Sequence, residues 1–537
     1  MKVIVIGGVA GGPSFATRLR RLNENIEILM VERGAYISYA SCALPYYLGD
    51  VITELEPLIE RTPEILKQKN NIDVLVRHEV IAIDPQAKEV TIEDLTTHAT
   101  VQAAYDVLVL ATGTRATLPP IPGIDTVKNG CVLRNVTDAA TIKTFINDQQ
   151  PKTATVIGAG AAGLEIAENF RHRGMAVTVI DQLPTVAYPY DAEITKIVAA
   201  ELAANDVQVH LNTTVTKIQA AGKELVLSDG TTLATDLLIF ATGVQPNSEL
   251  AAAAGVELAA DQHIIVDDQM ATSLPDIYAI GDVVETTSYI TGLPTPSMLS
   301  SAANRQGHLL ADIIHGNPLH YRGFIGTGVA KIFNLTVSFV GYTEHMLEAV
   351  GITNYKTIFI TPFDHAGFYP GAKRLNLKLI FEEKTGKLLG GQAVGERGVD
   401  KRIGELSAAI TGKLTVFDLP DLELPYSPPY STTRDPLNTA GYVAINQLNK
   451  TAKTIKAAAI PQTDLDHAFF LDVREADKPA DGSIKATKNI PFSVLRDHLA
   501  EIPTDRKVYI TFRKGLNPYQ AARILAGNGI NAILIEE

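Results

Sequence analysis

The chain has only two cysteines in 537 residues, no tryptophan, and fewer basic than acidic residues, 47 against 60. Two thiols cannot build a disulfide framework, which excludes the small stapled domains of secreted proteins. A formal net charge of -13 argues against a nucleic-acid binder, whose affinity rests on neutralising phosphates. Local basic spots stay available for small anions. No apolar run reaches the roughly 18 residues of a membrane span, and Met1 leads directly into a strand-like run instead of a signal peptide. The expectation is a cytoplasmic protein that binds neither nucleic acid nor membrane. The twelve histidines show no metal-ligand spacing, so no metal is expected. The length suits three or four domains, and the alternation of Val/Ile-rich runs with helical stretches points to α/β layers.

Near the N-terminus, Val3-Ile4-Val5-Ile6 precedes Gly7-Gly8-Val9-Ala10-Gly11-Gly12 and a helical stretch from Phe15 to Leu22. Strand, tight turn and helix N-terminus together suit a pyrophosphate, because free backbone N–H groups and the helix dipole converge there. A second strand from Ile26 to Val31 ends at Glu32, followed by Arg33, and an acid about 20 residues after the last glycine can accept from ribose hydroxyls. Val9 departs from the G-x-G-x-x-G template.

The arrangement recurs. Thr153 to Ile157 leads into Gly158-Ala159-Gly160-Ala161-Ala162-Gly163, a helix from Leu164 to Arg173, a strand from Val177 to Ile180, and Asp181. Here the template is complete, and Asp181 favours an unphosphorylated ribose, hence NADH over NADPH. The lesser alternative for Asp181 is a solvated strand-end carboxylate. Two further strands end in Ala111-Thr112-Gly113 and Ala241-Thr242-Gly243, and a third ends in Gly281-Asp282. Small residues at these ends let the backbone pass close to a ligand.

Over residues 1 to 445 this ordered set resembles the flavoprotein disulfide reductases with two dinucleotide-binding domains. The resemblance implies α/β architecture with two Rossmann-like domains. A discontinuous FAD-binding domain covers 1–115 and 244–320, and an NAD(P)H-binding domain covers 116–243. It assigns Gly7, Gly12, Glu32, Arg33, Thr112, Gly113 and Asp282 to FAD, and Gly158, Gly160, Gly163 and Asp181 to the nicotinamide nucleotide. Glu165 would neighbour the two reactive rings, or be an ordinary helix residue.

Cysteine decides the branch. Glutathione and lipoamide reductases use a Cys-x4-Cys pair, whereas Cys42 is alone in Ser38-Tyr39-Ala40-Ser41-Cys42-Ala43-Leu44-Pro45-Tyr46-Tyr47. A solitary thiol pairs with an exogenous sulfur or cycles through sulfenic acid. The stretch resembles coenzyme A-disulfide and persulfide reductases and their relatives, the NADH oxidases and peroxidases. Ala10 stands where the oxidase and peroxidase branch carries histidine, which favours sulfur reduction. Ser41 replaces the asparagine more common in the coenzyme A branch. Cys131, beside an apolar run, reads as structural.

Residues 321–445 resemble the family's α+β dimerisation domain, implying a homodimer whose active sites are shared across the interface. By resemblance Ser38, Cys42 and Tyr426 are catalytic, with Tyr426 the acid for the leaving thiol. Tyr369 and Tyr430, in Pro-rich loops, would contact substrate or simply pack, and Phe368 replaces one tyrosine. Arg18, Arg21 and Arg61 are candidates for coenzyme A phosphates, with a solvated face the simpler account of each. Residues 446–460 read as a linker or short helix. Residues 461–537 resemble a rhodanese-like α/β domain, through Phe469 to Glu475 and Asn489-Ile490-Pro491, in which Phe512 stands where the cysteine belongs, followed by Arg513 and Lys514. No sulfurtransferase activity is expected there.

Overall fold

The computed structural model describes residues 1–475, 484–511 and 516–536. They form two compact units, Met1–Gly326 with Ala330–Asn334, and Thr327–Val329 with Leu335–Glu537.

The first unit contains two five-stranded parallel sheets. One is ordered Ile277–Ala279, Val107–Leu110, Lys2–Ile6, Glu27–Glu32, Asp73–Val76. Its central strand is apolar on both faces, with Val3, Ile4 and Val5 fully buried, as expected where helices cover a parallel sheet. The helix Gly11–Leu22 turns Phe15, Ala16 and Leu19 into the same core as Met30, Val109 and Leu310. It begins four residues before the expected start at Phe15. Pro13 is tolerated in the first turn, where its missing N–H has no partner to lose.

The second sheet is ordered Val207–His210, Ala176–Ile180, Thr153–Ile157, Leu237–Phe240, Gly130–Val132. It repeats the first plan, down to a helix, Ala161–His172, leaving the central strand. The chain crosses between the two sheets through an antiparallel ribbon, Thr114–Ala116 against Val244–Pro246. The expected boundary at 115/116 falls inside this ribbon, and that at 243/244 at its edge.

In the second unit, antiparallel strands Leu335–Gly341, Leu388–Gly395, Asn376–Glu382 and Tyr355–Ile360 neighbour one another in that order. The helices Val399–Thr411 and Pro436–Leu448 follow. The C-terminal sheet is wholly parallel, ordered Lys453–Lys456, Ala532–Glu536, Val508–Thr511, Phe469–Asp472, Lys488–Asn489. Leu471, Ile510, Leu495 and Leu525 form its core. The linker reading of 446–460 is therefore corrected: Lys453–Lys456 pairs with Ile533 to Glu536. A Lys-Thr-Ile-Lys edge strand carries too little apolar signal to be recognised locally, and its pairing supplies what its composition lacks. Phe512, Arg513 and Lys514 lie outside the described residues.

Candidate functional site

Each Gly-rich turn is dictated by close backbone approach. Gly7 adopts φ +111°, and a Cβ there would lie 2.1 Å from the Ala111 carbonyl oxygen; Gly158 adopts φ +112°, with 2.2 Å to that of Ala241. At Gly12 and Gly163 a Cβ would come within 2.0 Å of the Gly7 and Gly158 oxygens, respectively. Gly160 differs, since a Cβ there meets nothing within 4 Å. Its bare backbone faces open space at a helix N-terminus, where a pyrophosphate needs close approach.

The two acids at the strand ends are held alike. Glu32 accepts from the Gly8 N–H at 2.8 Å and the Gly34 N–H at 2.7 Å. Asp181 accepts from the Ala159 N–H at 2.6 Å and the Leu183 N–H at 2.8 Å. Each carboxylate is thereby fixed at the lip of its turn with lone pairs to spare for a ribose diol. The donor sets fit two dinucleotides. Arg33 is exposed, 3.8 Å from Glu79. Thr112 and Gly113 are tied to Asn247, whose Nδ2 donates to the Thr112 carbonyl at 2.8 Å and whose N–H donates to that of Gly113 at 2.9 Å. Burial pushes the Asp282 carboxyl up, opposed by Arg134 at 3.4 Å.

Cys42 is exposed on the 3-10 turn Ser41–Ala43, which runs into the helix Leu44–Leu48. Ser38 fastens this segment to the first Gly-rich turn. Its N–H donates to the Gly8 carbonyl at 2.8 Å, and its own carbonyl accepts from Glu60 at 2.8 Å. The Ser38 hydroxyl is buried without a partner among the described residues, at a backbone φ of 45°. A buried polar atom left open beside a ligand turn is what a bound group would satisfy. Cys131 sits half-buried in the strand Gly130–Val132, opposite Ile239, and burial pushes its thiol up. It lacks the exposure and thiolate character of a reactive cysteine.

Glu165 is half-buried on the second helix, within 3.3 Å of the Tyr46 hydroxyl, and burial pushes its carboxyl up to about 7. Tyr46, Lys143, Asp50 and Arg134 were not singled out from sequence. Only Tyr46 had a signal, one helical turn beyond Cys42. Arg18, expected among phosphate ligands, instead makes a two-pronged ion pair with Asp312 at 2.9 and 2.8 Å. Arg21 and Arg61 are exposed.

The tyrosines lie in the second unit, where Tyr369, Tyr426 and Tyr430 are all exposed. Their two loops are joined where the Ala366 N–H donates to the Pro428 carbonyl at 3.2 Å. Beneath them the buried Arg402 guanidinium donates to the Asp364 carbonyl at 3.2 Å, Ser431 Oγ at 3.0 Å and Asp435 Oδ2 at 2.9 Å. Among the described residues no helix is long and apolar enough to cross a membrane, and no three His, Cys, Asp or Glu side chains converge as metal ligands.

The model of the pyridine nucleotide-disulphide oxidoreductase family matches residues 1–307, and that of the family's dimerisation domain matches residues 328–436. The chain is 34% identical to the coenzyme A disulfide reductase of Staphylococcus epidermidis over 445 residues, 82% of this chain and 99% of the relative. Its fold resembles reduced Bacillus anthracis CoADR-RHD with a TM-score of 0.97 at 43% identity, covering 99% of this chain and 96% of the other. It also resembles an NAD-dependent persulfide reductase from A. fulgidus, with a TM-score of 0.92 at 35% identity, covering 100% and 98%. With paired nucleotide turns, one exposed thiol beside the first of them, and matches running along both units, the chain belongs to the pyridine nucleotide-disulphide oxidoreductases.

Proposed function

We propose that the chain is an NAD(P)H-dependent flavoprotein that reduces coenzyme A disulfide, coenzyme A persulfide or a related polysulfide through Cys42. The placement of that thiol carries the reading: it is exposed, fastened through Ser38 to the first nucleotide turn, and the only other cysteine is held in a strand. The names of the relatives, a coenzyme A disulfide reductase and a persulfide reductase, support this acceptor class. When bound, FAD and the pyridine nucleotide supply the hydride and electron chemistry.

The residues of this chain do the rest. Gly7, Gly12, Glu32, Thr112, Gly113 and Asp282, with Arg33 at the rim, are assigned to FAD. Gly158, Gly160, Gly163, Glu165 and Asp181 are assigned to the nicotinamide nucleotide. The Cys42 thiolate attacks one acceptor sulfur, the S–S bond breaks, and the departing thiolate takes a proton from Tyr426 of a second subunit in a homodimer. Two electrons then return the Cys42 mixed disulfide to thiolate and free thiol. Tyr369 and Tyr430 are assigned to the path of the acceptor. With Arg18 committed to Asp312, its phosphates fall to Arg21 and Arg61.

The C-terminal parallel sheet is assigned as a rhodanese-like domain. No cysteine follows Cys131, so this domain carries no persulfide of its own, and sulfur transfer from it to Cys42 is not expected.

The test compares NADH consumption with coenzyme A disulfide, coenzyme A persulfide, oxygen and peroxide, alongside intact mass before and after reduction. Faster turnover with the coenzyme A acceptors and a coenzyme A adduct on Cys42 are expected. Dominant oxygen or peroxide turnover with sulfenic acid on Cys42 would replace the reading with an NADH oxidase or peroxidase. A second measurement concerns nucleotide choice. Replacing Asp181 with Ala removes the charge facing a 2′-phosphate, so the ratio of kcat/KM for NADPH to that for NADH is expected to rise roughly tenfold. An unchanged ratio removes Asp181 from the ribose pocket.

A further inference from the structure

Tyr46 follows Cys42 by one helical turn, in the helix Leu44–Leu48 that continues the 3-10 turn Ser41–Ala43. Cys42 lies close enough for its charge to act on the Tyr46 phenol. The Tyr46 hydroxyl donates a hydrogen bond of 3.3 Å to Glu165 Oε1, on the helix Ala161–His172 of the second dinucleotide-binding half. The short helix is held against this neighbour and against the helix Val136–Gln149, which carries Lys143. Lys143 Nζ donates to the Tyr47 carbonyl at 2.6 Å and pairs with Asp50, which also takes Arg173 at 2.7 Å. Gly49 lies so close to Asn169 that a Cβ would come 2.1 Å from its Oδ1.

The charged and titratable groups that face the pair are Glu168 and Lys331 around Glu165, and Glu168 and Cys42 around Tyr46. Lys331 is paired with Glu168, whose second oxygen accepts from the Phe333 N–H at 2.7 Å. Burial pushes Glu165 up to about 7; Glu168 adds to the rise, while Tyr46 and Lys331 oppose it. Burial and the Glu165 charge raise Tyr46 well above the usual phenol value, so it remains a protonated donor.

We propose that Tyr46 is a positioning hydroxyl shared between Glu165 and Cys42: the Glu165 carboxylate claims its O–H, and a protonated Glu165 releases that O–H to the Cys42 thiolate. Once protonated, Glu165 itself donates to the Tyr46 oxygen, which leaves the phenol hydrogen free to turn. A thiolate that gains this charge-assisted bond ionises at lower pH. The link joins the nicotinamide-side helix to the reacting thiol, and it rests on Cys42 being that thiol.

The holoenzyme, reduced with dithiothreitol and desalted, is alkylated with iodoacetamide from pH 6 to pH 9, and the rate at Cys42 is followed by mass. Tyr46→Phe is expected to react about tenfold more slowly than the parent chain at pH 6, where Glu165 is protonated, and at the parent rate at pH 9. Glu165→Leu removes the competing acceptor, so its profile is expected to keep the parent rate at pH 6 and to follow a single ionisation. Equal rates for Tyr46→Phe and the parent at pH 6 overturn the proposal. A deficit of the same size at pH 6 and pH 9, or a two-step profile surviving in Glu165→Leu, overturns the control by Glu165. The assay uses no acceptor, so it can fail while the reductase reading stands, and the reverse.

Discussion

Cys42→Ser is expected to lower NADH-dependent reduction of coenzyme A disulfide and persulfide by roughly a thousandfold or more, with flavin absorbance and thermal stability close to those of the parent chain. The chemistry needs a sulfur that is ionised near neutral pH and that can form and release an S–S bond; a serine hydroxyl does neither. The structural cost is small, because the side chain is exposed on a 3-10 turn and belongs to no core cluster. Exposed substitutions of this kind usually change stability by less than about 0.5 kcal/mol. The measurement is turnover with each acceptor beside the visible flavin spectrum of the same sample. Retained turnover would remove Cys42 from the reaction, and since Cys131 is half-buried in a strand with its thiol pushed up, it would remove thiol catalysis with it. Loss of flavin together with turnover would recast Cys42 as a structural part of the first nucleotide site.

Arg402→Met is expected to destabilise the second unit by about 3 kcal/mol, the lower end of what removing one partner of a buried ion pair costs, because Lys401 at 3.6 Å still faces Asp435. Arg402 is 1% exposed and Asp435 3%, so neither charge has water as an alternative. Burial pushes the Asp435 carboxyl up, but the hydrogen bonds and charge of Arg402 outweigh it, and the group sits below its ordinary value. A carboxyl depressed in this way adds stability that is present above its unfolded value of about 4 and is lost as pH falls through the folded value. The gap between parent and variant in thermal melting is therefore expected to be widest near neutral pH, to narrow as Asp435 protonates first in the variant, where burial acts without Arg402, and to close further as pH falls through the parent's depressed value. A melting difference that ignores pH would mean that Arg402 acts only by filling space. Because Arg402 also holds the Asp364 carbonyl and Ser431, the same variant loosens both tyrosine loops.

The parts of the fold that were legible in the chain are those whose cause is local. Gly7, Gly12, Gly158 and Gly163 are glycine because a neighbouring carbonyl oxygen comes within about 2.2 Å of where a Cβ would be, and such contacts recur wherever a strand turns into a helix over a phosphate. Glu32 and Asp181 were placed by the length of one strand–helix–strand unit. The strand Lys453–Lys456 was missed for the opposite reason, since its partner lies some eighty residues away at Ile533 to Glu536. The early start of the first helix at Gly11 was missed because two glycines and a proline form poor helix in isolation and are tolerated only where the turn above needs the room.

The sequence by itself determined the two Gly-rich turns, the acids at their strand ends, the isolation of Cys42 from any second thiol nearby and the lack of a cysteine after Cys131, because each is a matter of residue identity at short spacing. The tertiary structure alone decided what surrounds that thiol. Ser38 meets Gly8 across thirty residues, Tyr46 meets Glu165 across 119, and Arg18 is drawn away to Asp312 across 294. No local preference encodes such pairs. They exist because parallel sheets bring distant strand ends to one edge, and burial there selects which polar groups must find one another.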